Sequence, residues 1–307
     1  MHPLFKLVLS SAIAIAALQS VSAQDLAPRA YTLTPLHANA LTLTYGFYDG
    51  SLLLNGAIPV NHATGKYSVP VASLYHSFEM FGHFANLTAV LPYAVGTFQG
   101  DLKAGEVQIY RSGLVDSTYR LAVNLKGGPP LEPAEFHKWK QKTLIGVSLK
   151  VVAPTGQYDP AKVINWGGNR WALKPELAYS QRWGKIVLDA YGGVWFYTLN
   201  SQYFTGHNER TENPVGAFEG HLSYDWKLRT WVSLDGNFWF GGTTSLNGIP
   251  NPDTTQTGSR LGVTGSVRLD KHQSIKVSYS AGTYARFGGN YRTLSTAWQW
   301  SWLGHPR

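Results

Sequence analysis

The most chemically suggestive residues of this sequence stand at alternate positions of one segment. Glu219, His221, Ser223 and Asp225 are each separated by one residue, so on a strand they would share one face. A histidine two positions before a serine resembles the dyad of outer-membrane lipid hydrolases, in which histidine is the base for a serine nucleophile. Polar residues lining the inside of a barrel give the same pattern. The neighbouring apolar residues favour that second interpretation, so we predict no catalytic residues.

Other sites for chemistry are not evident in the sequence. The chain has no cysteine, and its ten histidines include no pair at i+2, i+3 or i+4, so we predict no metal and no cofactor. Asn251-Pro252-Asp253 is consistent with ordinary turn chemistry. The formal net charge is +8, but the basic residues are scattered rather than grouped into a stripe. We therefore expect no nucleic-acid partner.

The segments that carry these residues alternate between apolar and polar or aromatic side chains with a period of two residues. Between Ile186 and Phe196, apolar residues occupy every second position, and mostly polar or aromatic residues lie between them. A strand needs about 9–11 residues to cross a bilayer, and each such segment has about 13. A soluble β-sandwich would also alternate, but it would not need strands of this length. We count twelve segments: 40–54, 66–80, 86–98, 114–126, 142–154, 171–183, 185–198, 214–227, 230–242, 258–270, 273–286 and 291–303.

The connections between these segments alternate between long and short. Only Gly184 follows the sixth segment, whereas residues 155–170 follow the fifth. Short turns on one side and long loops on the other are typical of outer-membrane β-barrels. Aromatic residues concentrate near the segment ends, as they do in the two girdles of such barrels. At the short-turn ends these are Trp183, Trp226, Trp231 and Trp302; at the loop ends they are Trp166, Trp171, Phe196, Tyr197, Trp239 and Phe240.

The N-terminus predicts export. Residues 1–23 combine a weakly basic start, an apolar stretch too short to span a bilayer at about 20 residues, and Val21-Ser22-Ala23 as a cleavage site. We interpret them as a secretory signal peptide. Residues 24–39 then form either a mobile periplasmic segment or a plug inside the barrel. Residues 40–307 form the barrel itself, with its termini in the periplasm.

Several longer motifs resemble one known family. They are APTGQYDP (153–160), NWGGNRWALKPELAYS (165–180), DAYGGVWFYT (189–198), and the mature start PRAYTLTPLHANALTLTYGFYDG (28–50). The sequence is similar to the outer-membrane transporter family labelled "MetA-pathway of phenol degradation". The resemblance covers nearly all of the mature chain. It implies passage of small, often aromatic, compounds and supplies no catalytic residues.

The fold that we predict is an all-β, transmembrane, antiparallel up-and-down barrel of about twelve strands in the Gram-negative outer membrane. If the apolar faces meet lipid, charged residues face the lumen, where water or opposite charges tolerate them. The predicted lumen-lining set is Arg120, Lys150, Lys174, Glu176, Asp189, Glu219, His221, Asp235, Arg260, Arg268, Lys276 and Arg286.

Three functions remain open at this point. The leading hypothesis is a passive channel for small solutes, with outer-membrane lipids, the barrel-insertion machinery and the solute as partners. The alternatives are a non-conducting structural or surface-binding barrel, in which lumen charges pair and close the passage, and a hydrolase built on His221 and Ser223. The sequence leaves the substrate and the oligomeric state undetermined.

Overall fold

The computed structural model describes residues 26–53, 60–102, 105–162, 164–204, 207–227 and 229–304. The predicted signal peptide, residues 1–23, lies outside the described residues. No helix in these ranges is long and apolar enough to cross a membrane.

Twelve antiparallel strands form a closed barrel, which confirms the predicted fold class and strand number. Each barrel strand pairs with the barrel strands before and after it, and the first pairs with the last along sixteen residue pairs, from Ala38↔Leu303 to Leu53↔Gly288. The barrel strands are β1 (Ala38–Leu53), β2 (Asn61–Met80), β3 (His83–Leu102), β5 (Ser117–Lys126), β6 (Thr143–Ala153), β7 (Ala172–Trp183), β8 (Ile186–Tyr197), β11 (Val215–Asp225), β12 (Thr230–Gly241), β15 (Gln256–Arg268), β16 (Gln273–Ala285) and β17 (Gly288–Leu303).

Five further strands extend one end of the barrel, which we call the long-loop end. The strand β4 (Gly105–Leu114) pairs with the outer half of β3, while β5 pairs with its inner half. A separate four-stranded sheet is formed by β9 (Asn200–Tyr203), β10 (Asn208–Glu212), β13 (Thr244–Leu246) and β14 (Ile249–Asn251). Sequence analysis did not predict these strands.

The opposite end, which we call the short-turn end, carries tight hairpins. Phe81 and Gly82 link β2 to β3 with φ values of 52° and 78°, the backbone of a two-residue turn with both central residues left-handed. One connection here is long, between β5 and β6, and it contains the four-residue helix α1 (Pro133–Phe136). The alternating long and short connections of the sequence therefore correspond to the two ends of the barrel.

The two faces of the wall differ in chemistry. Outward leucines such as Leu177, Leu234 and Leu261 are each about 60% exposed (59%, 63% and 61%). Inward side chains at intervening positions, among them Lys174 and Asp235, are buried. A barrel arranged in this way exposes an apolar band and has no unpaired strand edge along its wall.

The predicted aromatic girdles are only partly correct. Trp183, Trp226 and Phe196 are exposed on the outer surface, but Trp231 lies under the guanidinium of Arg29, inside the barrel. Trp239 is buried, and Trp166 and Tyr197 line an internal cavity. Depth along a strand places an aromatic residue near an interface, but the alternation of side chains along the strand decides which face the ring occupies.

Candidate functional site in the barrel interior

The chain that precedes β1 lies inside the barrel. Residues 26–37, which we call the N-terminal segment, contact the inward faces of several strands. The backbone N–H of Arg29 donates to Asp189 (3.2 Å), and that of Ala30 donates to the Tyr191 hydroxyl (3.2 Å). The Arg29 guanidinium forms an ion pair with Asp225 (2.6 Å). Polar contacts to β8 and β11 therefore hold this segment across the lumen.

Tyr31 is the most deeply packed residue of the N-terminal segment. Its side chain is 2% exposed, and its hydroxyl lies 2.8 Å from Ser148 Oγ and 3.0 Å from Glu176 Oε1. The guanidinium of Arg120 lies 4.3 Å from the centre of its ring, within cation–π range. The ring thus fills the lumen between β6 and β8.

The remainder of the segment seals against the short-turn end through apolar contacts. Leu33 and Leu36 form a buried cluster with Phe84 and Leu144, against which Phe136 of α1 packs. The backbone N–H of Leu36 also donates to Leu131 in the β5–β6 connection. That long connection is therefore part of the closure at this end.

A charged network occupies the wall beside the N-terminal segment. Lys174 Nζ lies 2.6 Å from Glu176 and 3.2 Å from Glu219, and all three side chains are at most 7% exposed. Glu219 also accepts a hydrogen bond from the backbone of Ala27. Opposite charges that lie together in this way satisfy one another without bulk water.

A second network, centred on Asp235, adjoins the first. Its carboxylate contacts His221 Nδ1 (2.9 Å) and accepts hydrogen bonds from the hydroxyls of Ser233 and Thr264. His221 Nε2 lies 3.6 Å from Glu219, so the histidine joins the two networks. Arg260 lies further along the wall and donates to Ser280 and Thr293.

Among the described residues, inward-facing side chains line a larger and a smaller cavity. The larger, about 540 Å³, lies between the N-terminal segment and the long-loop end and is lined by Arg120, Lys150 and Glu176 together with many apolar residues. The smaller, about 220 Å³, is lined by Asp235, Arg260 and Lys276. The larger cavity has mainly apolar walls with a few charged groups, which is the usual form of a small-molecule site, whereas hydroxyl and charged side chains form much of the wall of the smaller.

A buried ion cluster lies at the long-loop end above the larger cavity. Glu212 binds Arg170 (2.6 Å) and Arg210 (3.0 Å), and its other carboxylate oxygen accepts from Gln256 (2.9 Å). Desolvation by burial lowers the pKa of Arg210, since it penalises the charged guanidinium. Sequence analysis missed this cluster because its members lie in loops or in and beside short strands. These segments are too short for an alternation of polar and apolar residues to predict which side chains are in contact.

Asp116 anchors the loop between β6 and β7 at the same end. Its two carboxylate oxygens accept hydrogen bonds from the backbone of Gly156 (2.8 Å) and Gly168 (2.7 Å). Burial raises the pKa of Asp116 above its ordinary value, and these backbone hydrogen bonds oppose that rise.

Comparison with known proteins places this architecture in a family. The model of the family described as "Putative MetA-pathway of phenol degradation" matches residues 42–296. The chain belongs to this family. No curated protein matches it at the level of sequence.

Several solved structures have a similar barrel fold. The COG4313 outer membrane channel from Pseudomonas putida F1 is 18% identical with a TM-score of 0.75, over 91% of this chain and 100% of that one. The transport unit of the Escherichia coli autotransporter AIDA-I is 11% identical with a TM-score of 0.53, over 97% and 99%. The beta domain of the Bordetella autotransporter BrkA is 11% identical with a TM-score of 0.50, over 86% and 100%. At these identities, the likeness concerns the fold.

In this member of the phenol-degradation family, ten of the twelve predicted lumen residues lie on barrel strands in or beside the networks and cavities above. They are Arg120, Lys150, Lys174, Glu176, Asp189, Glu219, His221, Asp235, Arg260 and Lys276. Arg268 and Arg286 are not brought together with them. Arg268 is exposed at the end of β15, where it donates to the carbonyls of Asp270 and Lys271. Arg286 is exposed in the turn between β16 and β17.

The His-x-Ser pair does not have the geometry of a hydrolytic dyad in this family member. His221 contacts Asp235 and Glu219, and the Ser223 hydroxyl has no hydrogen-bond partner among the described residues. Both side chains face inward, while Leu222 and Tyr224 between and beside them are exposed on the outer surface. A nucleophile and its base must be within hydrogen-bonding reach of each other.

In the part of the chain that the structure describes, no group of three or more His, Asp and Glu side chains is arranged to hold a metal ion.

Proposed function

We propose that this protein is a passive channel for small solutes, including aromatic compounds, in the Gram-negative outer membrane. The family membership and the fold support this proposal, as does the name of the similar Pseudomonas putida protein, which is an outer membrane channel. The apolar outer band suits contact with lipid, and the charged inner face suits contact with water. On this proposal, the signal peptide at 1–23 exports the chain, the insertion machinery places it in the membrane, and the long-loop end faces outward.

The observation that carries the proposal is the cavity of about 540 Å³ inside the lumen. It is large enough for a small organic molecule, and residues of both the N-terminal segment and the β6–β7 loop at the long-loop end line it. A structural barrel with a filled core would not need such a space.

The N-terminal segment acts, on this proposal, as the constriction of the channel. From Ala27 to Tyr31, its polar contacts with the wall are hydrogen bonds and one partly exposed ion pair, Arg29–Asp225, with side chains 14% and 31% exposed. Contacts of this type contribute little each and can be exchanged for water. The segment therefore narrows the lumen without being locked into it.

Conductance across a planar lipid bilayer tests the proposal. The full mature chain is refolded and inserted, and insertion is verified by protease protection of the barrel. We expect discrete current steps of small size, because the segment leaves only a narrow passage. A silent bilayer with verified insertion would contradict the proposal.

The alternative function is a non-conducting barrel that binds a ligand or a surface partner. The closed apolar cluster of Leu33, Leu36, Phe84 and Leu144 at the short-turn end favours it, because these contacts are free of polar groups. In that case, the inserted barrel should carry no current, while ligand binding to the cavity would still be measurable.

A further inference from the structure

Three inward-facing cations lie side by side on neighbouring strands. Arg120 of β5 is the direct cross-strand partner of Lys150 of β6, which is in turn the partner of Lys174 of β7. Like charges in directly opposite positions destabilise a sheet unless something compensates them. We call these three residues the basic row. It lines or adjoins the larger cavity.

The two acids beside the basic row are both bound to one end of it. Glu176 and Glu219 lie 2.6 Å and 3.2 Å from Lys174 Nζ. Glu176 also contacts the Tyr31 hydroxyl, and Glu219 also accepts from the Ala27 backbone. The three cations of the basic row therefore share two acids, and the row as a whole carries one more positive than negative charge.

Buried donors at the same cavity lack acceptors. Arg120 Nη2, Arg170 Nη1 and the indole Nε1 of Trp195 have no hydrogen-bond partner among the described residues, and all three residues line the cavity. A buried donor without an acceptor destabilises the folded protein, because it has lost its hydrogen bonds to water. An anionic ligand would supply the missing acceptors through charge-assisted hydrogen bonds, which are the strong ones.

The wall next to the basic row is apolar. The neighbouring strands β2 and β3 present Val69, Val71, Val90, Pro92 and Ala94 to the same cavity. The strand β3 is the direct neighbour of β5, with Thr88 opposite Arg120. Aromatic rings complete the lining, those of Tyr191 and Trp195 on β8 and of Trp166 in the β6–β7 loop. Flat rings offer faces and edges on which another aromatic ring packs well.

We propose that this cavity binds small aromatic monocarboxylates. The carboxylate contacts Arg120 and Lys150, and the ring packs against the apolar wall of β2 and β3. Arg170, at the long-loop end of the same cavity, attracts the anion as it enters. The inference rests on the proposed function, since it names the class of solute that the channel takes up.

Calorimetric titration of the full mature chain in detergent micelles with benzoate tests this proposal. Benzamide, which has the same shape and no charge, measures the contribution of the carboxylate. Cyclohexanecarboxylate, which has the charge and no aromatic ring, measures the contribution of the ring. We expect one benzoate per chain, with affinity at least about tenfold greater than for either analogue, or about 1.4 kcal/mol.

Substitutions locate the site. Arg120→Gln and Lys150→Gln should each weaken benzoate binding about tenfold or more and leave benzamide binding unchanged, while Arg120→Lys should retain part of the affinity. Arg292→Gln is the matched control, because Arg292 is exposed on β17 and does not line the cavity. If Arg120→Gln fails to fold, Lys150→Gln and Arg120→Lys still test the site.

The outcomes separate this inference from the proposed function. Absence of benzoate binding to a barrel that conducts, or equal binding of benzamide, would overturn the carboxylate site and leave the channel intact. Equal binding of cyclohexanecarboxylate would overturn the aromatic preference. Benzoate binding to a barrel that is silent in a bilayer would support the site and contradict the channel.

Discussion

The Arg29 guanidinium lies 2.6 Å from the Asp225 carboxylate and joins the N-terminal segment to the end of β11. The same guanidinium lies 4.6 Å from the centre of the Trp231 ring, and the Arg29 backbone donates to Asp189. One residue therefore connects the segment to three strands, β8, β11 and β12. Its removal should therefore loosen the segment from all three strands.

Replacing Arg29 with alanine should widen the passage. The pair is partly exposed, so its loss corresponds to about 0.5–1 kcal/mol, and we expect mean single-channel conductance or open probability to rise about two- to fivefold. Arg182→Ala is the control, because Arg182 is the other partner of Asp225 and does not contact the segment through that pair. Equal currents from Arg29→Ala and the wild type would contradict a gating role for the segment.

Replacing Lys174 with methionine should destabilise the barrel by about 3–5 kcal/mol, since Glu176 and Glu219 would remain buried without their cation. Urea-induced unfolding from lipid vesicles, followed by tryptophan fluorescence, measures this loss. The triple variant Lys174→Met, Glu176→Gln, Glu219→Gln should recover much of the stability, because no unpaired acid is then left. Lys185→Met, in an exposed turn, should be neutral; an equally large loss there would show that the effect is not specific.

Replacing Glu212 with glutamine should loosen the long-loop end. Arg170 and Arg210 would then lie close together without their shared carboxylate. We expect amide hydrogen exchange in β10 to become at least about tenfold faster, or about 1.4 kcal/mol of local stability. Glu209→Gln, an exposed neighbour on the same strand, should leave exchange unchanged. Unchanged exchange in Glu212→Gln would mean that the sheet β9, β10, β13 and β14 is held by other contacts.

The Asp116 carboxyl should make stability depend on pH. Its pKa is raised in the folded state, so the folded protein binds the proton more tightly than the unfolded chain does. The resulting stabilisation is present at low pH and is lost as pH rises through the raised pKa. Wild-type stability relative to Asp116→Asn should therefore increase between pH 7 and pH 4, measured by urea unfolding in vesicles. A stability difference between the wild type and Asp116→Asn that is smaller at pH 4 than at pH 7 would contradict a raised pKa for Asp116.

The barrel could be predicted from the sequence because each strand is long and its two faces meet different surroundings. The alternation from Ile186 to Phe196 recurs as β8, and the twelve predicted segments correspond to the twelve strands of the closed sheet. The strands of the loop sheet are three to five residues long, too short for a period to be seen. The Arg170–Glu212 pair joins two different connections between barrel strands, and the spacing of these residues in the sequence does not predict their contact.

The sequence predicts which residues face the barrel interior better than it predicts the contacts that those residues make. The alternation of side chains along each strand predicts that Lys174, Glu219 and Asp235 lie on polar faces. It does not indicate which acid pairs with which base. Trp231 illustrates the opposite case, because its inward position follows from its alternation with the exposed Val232 and not from its depth along the strand. The location of residues 26–37 depends on hydrogen bonds from their backbone to Asp189 and Tyr191, which no side-chain pattern in the segment reveals.

The ladder between β1 and β17 joins the two most distant strands of the chain. The barrel therefore cannot close before the last strand has been synthesised, and until then the earlier strands can form only an open, curved sheet. The N-terminal segment binds β8 and β11, in the middle of that sheet, rather than the seam. It can therefore settle on the concave surface while the sheet is still open, so that the final strand closes the wall around a segment already in place, and no threading step is needed during assembly.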